Sequence, residues 1–281
     1  SSMVQPSKTF GERLVAAGVA RGRLCVGIDP HAHLLQAWGL NNDVDGLRTF
    51  ARTCVEAFAD TVAVVKPQVA FFERFGSAGF AVLEETLQGL REAGCFTLAD
   101  AKRGDIGSTM AGYADAWLGE TSPLLSDAVT VSPYLGVGSL KPVFDLAEET
   151  GRGVFVLAAT SNPEAVSSQS IKDADGVTVA QGVVNQCAAI NASYAAEGRA
   201  GNVGVVVGAT LKHPPVLDQL AGPVLLPGVG AQGATAQDVK AITIAAPELG
   251  FANVSRSVLS RGPQVRDLQE AVKEALAETA F

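Results

Sequence analysis

The chain has 281 residues, of which 47% are hydrophobic and 18% charged, with a formal net charge of -8. This composition supports a large buried core and excludes global disorder, and the negative charge argues against nucleic acid or an anionic membrane surface as partner. Cys25, Cys54, Cys95 and Cys187 are widely spaced, with no C-x-x-C pair and no Cys/His cluster at zinc spacing, so they read as reduced thiols packed as small hydrophobes.

Ser1 and Ser2 ahead of Met3 read as an expression scar, which leaves residues 3–281 as one expected domain. No uninterrupted apolar stretch is of membrane-spanning length and no secretory pattern opens the chain, so the expected location is the cytoplasm. In chain order, a helix is expected near 7–20, then the apolar run "LCVGID" at 24–29 predicts a first strand and 44–59 a helix. "VAVVKP" at 62–67 is followed by helical periodicity over 77–93, "CFTLAD" at 95–100 by 108–118, and "AVTVSP" at 128–133 by 138–149. "GVFVLAAT" at 153–160 precedes a polar irregular stretch at 161–176 and a helix near 177–197. "VGVVVG" at 203–208, "VLLPGV" at 224–229 and "FANVSR" at 251–256 complete the strands, with helices expected near 213–220, 235–245 and 264–279.

Strands apolar on both faces belong to a parallel sheet covered by helices, and eight strand–helix units predict an α/β fold, a closed (β/α)8 TIM barrel with an extra N-terminal helix. Active sites of this barrel lie where strands end, which singles out Asp29, Lys66, Asp100, Lys102, Asp105, Ser132, Thr160, Ser161, the loop Gly228 to Gln232, and Arg256. Lys66, Asp29, Asp100 and Lys102 would put alternating carboxylates and ammoniums on three consecutive strands. A structural ion-pair network is the bland reading; buried pairs repay desolvation poorly, which favours a functional one. The loop "PGVGAQGAT" reads as a phosphate cradle that includes Gly230, with Arg256 placed to add a bidentate guanidinium. His31 and His33 stand at i, i+2 without an accompanying carboxylate–histidine pattern, so no metal site is assigned to them.

"LADAKRGDIGST" contains D-x-K-x-x-D-x-x-x-T in Asp100, Lys102, Asp105 and Thr109, and it resembles the signature of the orotidine 5'-phosphate decarboxylase family. "GIDP", Lys66, "TSNP", "PGVGAQG" and "SRS" follow in matching order, and the likeness extends over nearly the whole barrel, in the manner of a longer bacterial subgroup. The resemblance implies decarboxylation of orotidine 5'-phosphate to UMP and CO2, without cofactor or metal, by a charged array of Lys66, Asp100, Lys102 and Asp105. It further implies a homodimer in which Asp105 and Thr109 enter the partner's site. Asp29 would bind ribose hydroxyls, Ser161 the pyrimidine, Gln232 the phosphate and the base side, and Arg256 the phosphate. Rival readings stay open: a Mg-dependent keto-sugar-phosphate decarboxylase, a Schiff-base aldolase, or a non-catalytic phosphate-ligand binder.

Overall fold

The structure, a computed structural model, describes residues 7–280. The expected expression scar at residues 1–2 lies outside the described residues. Eight strands close into a barrel in sequence order: β1 Leu24–Ile28, β2 Val64–Pro67, β3 Phe96–Arg103, β4 Ala128–Val131, β5 Gly153–Ala159, β6 Val203–Val207, β7 Val224–Pro227 and β8 Gly250–Val254. All neighbours are parallel, and β8 closes on β1 through Leu24 against Ala252 and Val26 against Val254.

Period-two alternation sorts the apolar strand residues into two cores. One set, including Val26, Val65, Val129, Val154 and Val205, faces outward and packs under the helices. The other fills the barrel with Cys25, Val64, Leu98, Ala128, Phe155, Val206, Leu225 and Phe251. The N-terminal helix Phe10–Arg21 opens with a Thr9–Glu12 capping box and closes the bottom of the barrel with Phe10 and Leu14. Phe10 meets Phe96 and Phe155 edge to face, at centroid distances of 5.7 and 6.1 Å. Gly153 permits this approach, since a Cβ there would collide with the Phe10 ring.

Most expected helices form, among them Val44–Phe58, Gly76–Glu92, Gly107–Leu118, Lys141–Thr150, Ala236–Ile242 and Val265–Glu278. The helix expected near 213–220 does not. Pro214 and Pro215 remove two N–H donors and drive the preceding residues toward extended backbone, so that segment runs as irregular chain with a turn at Leu217–Leu220. The helix expected over 177–197 divides into Val179–Ile190 and Ala192–Ala196 at Asn191. Its buried amide donates to Val203 O at 2.8 Å and Leu220 O at 2.9 Å, tying the break to the start of β6 and to the irregular segment. Short helices at Ala32–Ala37, Val69–Glu73, Val166–Gln169 and Arg256–Leu259 add to the expected ones within strand-to-helix connections, the third of them inside the stretch expected to be irregular.

Candidate active site

Most strand residues that line the mouth lie one or two periods beyond those that fill the barrel. Cys25 leads through Gly27 to Asp29, Val64 to Lys66, Leu98 to Asp100 and then Lys102, Ala128 to Thr130, Phe155 to Leu157, Leu225 to Pro227, and Phe251 through Asn253 to Ser255. Each strand therefore delivers its last inward side chain to one cavity of about 470 Å3, within the usual range for small-molecule sites. Leu157, Val206 and Leu225 give it an apolar wall. Gly27 keeps the first strand narrow, because a Cβ there would strike Ser255 Oγ and come within 2.9 Å of Asp29 Oδ1.

On one side of the mouth runs an ion-pair chain. Lys66 Nζ donates to Asp100 Oδ2 at 2.8 Å, and Lys102 Nζ donates to Asp100 Oδ1 at 2.6 Å. The Lys66 and Asp100 side chains are only 8% and 6% exposed, whereas that of Lys102 is 44% exposed, so one ammonium is sealed in and the other faces the cavity. Burial pushes the Asp100 carboxyl upward, but the Lys66 and Lys102 charges outweigh it and hold Asp100 well below the usual carboxylate range. For Lys66, burial pulls downward and the carboxylates of Asp100 and Asp29 reverse it, so the net shift is upward and the ammonium stays charged. Lys102 has a backbone φ of +50°, a left-handed conformation that costs a side-chain-bearing residue roughly 1–3 kcal/mol.

Asp29 is half-buried beside this chain. Burial raises its pKa against the pull of Lys66 and Ser255, and its Oδ1 has no hydrogen-bond partner among the described residues. Across the cavity stand Gly228, Ala231, Gln232 and Arg256. Gly228 and Gly230 have φ of +97° and +81°, values that suit glycine and let the loop double back. Arg256 is exposed, and its guanidinium has no protein partner among the described residues.

Several expected site residues lie elsewhere. Gly230 opens onto a neighbouring cleft with Gly233 and Ser257, and its N–H is taken by Ala234 O at 3.1 Å. Thr160 lines the mouth, while Ser161 lines only the adjoining cavity beneath the 161–176 stretch. Gln169 from that stretch binds Thr160 twice, accepting its N–H at 2.7 Å and donating to its Oγ1 at 2.9 Å. Asp105 is half-buried, accepts the N–H of Ile106 at 2.7 Å and makes no ion pair with Lys102 within the chain; Thr109 is exposed on the first turn of Gly107–Leu118. Ser132 donates its N–H to Arg103 O and stays outside the mouth. His31 caps the helix Ala32–Ala37, with Nδ1 accepting the Leu34 N–H at 3.3 Å, and His33 is exposed. Thr130, Gln68 and Asn253 also line the mouth, as does Ser255, the first residue of "SRS". The two-residue period counted up from the barrel-filling positions would have found Thr130, Asn253 and Ser255.

A closed parallel (β/α)8 barrel whose mouth sets a charged array opposite a glycine-rich loop and Arg256 has the architecture of a barrel enzyme. Residues 22–271 match the orotidine 5'-phosphate decarboxylase / HUMPS family, and the chain belongs to it. It is 64% identical over 270 residues to orotidine 5'-phosphate decarboxylase of Corynebacterium glutamicum strain R, covering 96% of this chain and 97% of that one. The Streptomyces coelicolor enzyme of the same name is 55% identical over 270 residues, covering 96% of both. Among solved structures, a chain from Streptomyces avermitilis superposes with a TM-score of 0.92 at 53% identity, covering 98% of this chain and 96% of its own. Leishmania donovani OMP decarboxylase superposes with a TM-score of 0.71 at 29% identity, covering 95% of each.

Proposed function

We propose that this protein decarboxylates orotidine 5'-phosphate to UMP and CO2, using its own side chains as the electrostatic catalyst. The observation that carries the reading is the Lys66–Asp100–Lys102 chain, at 2.8 and 2.6 Å, on the wall of the cavity that Gln232 and Arg256 also line. When the bond from C6 to the carboxylate breaks, its electron pair stays on a vinylic carbon with little resonance relief. The Lys102 ammonium stabilises that pair and then gives it a proton, leaving a neutral amine that solvent reprotonates. A single charge pair at 4 Å and an effective dielectric near 20 is worth ~4 kcal/mol, against ~23 kcal/mol at the upper end of enzymatic barrier reductions. The remainder must come from the other groups and from binding.

In this reading Lys66 keeps Asp100 ionised and immobile, and Asp100 aims Lys102. Asp29 Oδ1, buried and unpartnered among the described residues, accepts a ribose hydroxyl. Gln232, on the loop that the conformations of Gly228 and Gly230 shape, and Arg256, just past the end of β8, hold the phosphate. The pyrimidine contact that the resemblance implies for Ser161 falls beside the mouth-lining Thr160, at the edge of the adjoining cavity. Asp105 and Thr109 act in the site of a partner copy, which suits the exposure of the Ile106–Thr109 segment and the absence of a pairing between Asp105 and Lys102 within one chain. No helix among the described residues is long and apolar enough to cross a membrane, in keeping with a cytoplasmic enzyme of nucleotide synthesis.

The test is to dialyse the protein against chelator, add orotidine 5'-phosphate and follow the pyrimidine absorbance. Turnover is expected, with Lys102→Ala silent. Loss of turnover on chelation would favour the Mg-dependent rival, borohydride trapping at a lysine the aldolase, and binding without turnover the silent ligand binder.

A further inference from the structure

The β3–β4 ladder slips at the active site. Ala99 pairs with Val129 and Arg103 with Val131, so Asp100, Ala101 and Lys102 stand opposite Thr130 alone. A bulge of this kind re-aims side chains and takes the N–H groups within it out of the regular ladder. At Lys102 the replacement partner is a side chain. Thr130 Oγ1 accepts the Lys102 N–H at 3.0 Å and donates its proton to Asp100 Oδ1 at 2.9 Å, the same oxygen that receives the Lys102 ammonium at 2.6 Å. A hydroxyl can accept and donate at once, which no apolar side chain of the same shape can do. Thr130 is 1% exposed, and its strand neighbours Ala128, Val129 and Val131 are all apolar. Lys102 itself holds a left-handed backbone, a conformation that persists only where its surroundings over-determine it.

We propose that Thr130 is a positioning residue for the decarboxylation: one buried hydroxyl holds the Lys102 backbone in its left-handed turn and, through Asp100, fixes where the Lys102 ammonium points. The proposal rests on the function inferred above, in which Lys102 is the proton donor. Thr130 hydrogen-bonds to none of the residues assigned to the ribose or phosphate, so its loss is expected in turnover and not in ground-state binding.

Thr130→Val keeps the side-chain outline and removes the hydroxyl, and Thr130→Ser keeps the hydroxyl and removes a methyl. Thr130→Val is expected to lower kcat by about 30-fold or more while KM stays within about threefold, and Thr130→Ser to recover kcat to within about fivefold of the parent. A Thr130→Val kcat within about threefold of the parent, or a Thr130→Ser variant as slow as Thr130→Val, would overturn the proposal. Should Thr130→Val fail to fold, Thr130→Ala is read by the same criteria. A crystal structure of the hydroxyl-free variant separates this claim from the functional one. Lys102 relaxed to a negative φ, or its ammonium moved away from Asp100, supports positioning even if the parent enzyme proves inactive on orotidine 5'-phosphate. An unchanged Lys102 refutes positioning even if the parent turns over.

Discussion

Burial pushes the Asp29 carboxyl upward, and its Oδ1 finds no donor among the described residues. An acid whose folded pKa exceeds its unfolded one binds the extra proton in the folded state, so its stability contribution falls as pH rises through that interval. Asp29→Asn should therefore raise Tm at neutral pH, by roughly 2 °C, and the gain should fade below about pH 4, where both states of the wild-type residue are protonated. Scanning calorimetry across pH checks this, and under the proposed role of Asp29 as the ribose acceptor the same variant should bind UMP more weakly. Arg256, exposed and without a protein partner among the described residues, carries the opposite expectation. Arg256→Ala should leave Tm within about 1 °C, raise KM and lower kcat/KM by about 100-fold, since a bidentate charge-assisted contact to phosphate is lost. Steady-state kinetics that moved both constants by less than a factor of about two would remove Arg256 from the phosphate site.

The N-terminal helix and the strand ends divide the barrel into a structural bottom and a functional top. Phe10 fills the bottom against Phe96 and Phe155, far along the strands from the Lys66–Asp100–Lys102 chain. Phe10→Ala should cost about 3–5 kcal/mol in chemical denaturation through the cavity it leaves, while KM stays near the parent value. A large KM change at unchanged stability would mean that the two ends of the barrel are coupled. At this scale strand and helix order followed from hydrophobic period, and the misses have local causes. Pro214 and Pro215 cancelled the helix after β6, and the bulge opposite Thr130 carried β3 past its expected end at Asp100 to Arg103. The period of apolar residues reports which face is buried, but a proline pair or a ladder slip acts through backbone hydrogen bonds that the period does not register.

For the whole molecule the net charge is -8, yet the mouth sets the cations Lys66, Lys102 and Arg256 against the carboxylates Asp29 and Asp100. An acidic protein can thus offer a locally cationic site to a dianionic nucleotide. The proposed sharing of Asp105 between subunits has a quantitative consequence. Lys102→Ala and Asp105→Ala homodimers should each be nearly inactive, and an equal mixture, once subunits exchange, should regain about a quarter of the parental activity, because half the dimers become mixed and each mixed dimer has one intact site. Assay of the mixture against time checks it; a mixture that stays silent after exchange has been verified would place Asp105 in its own chain's site or outside catalysis.

The sequence alone determined the barrel and the strand ends where chemistry gathers, because both are written in short-range patterns: doubly apolar strands, a two-residue alternation, and charges set where apolar runs stop. It also named Lys66, Asp100, Lys102 and Arg256, whose charges stand out against such runs. Only the tertiary structure decided that Thr130 rather than Ser132 reaches Asp100, that Thr160 rather than Ser161 lines the mouth, and that Gly230 turns away from it. Those outcomes depend on register between neighbouring strands and on how a loop folds back. Both are set by contacts between residues far apart in the chain, and a local pattern carries no record of them.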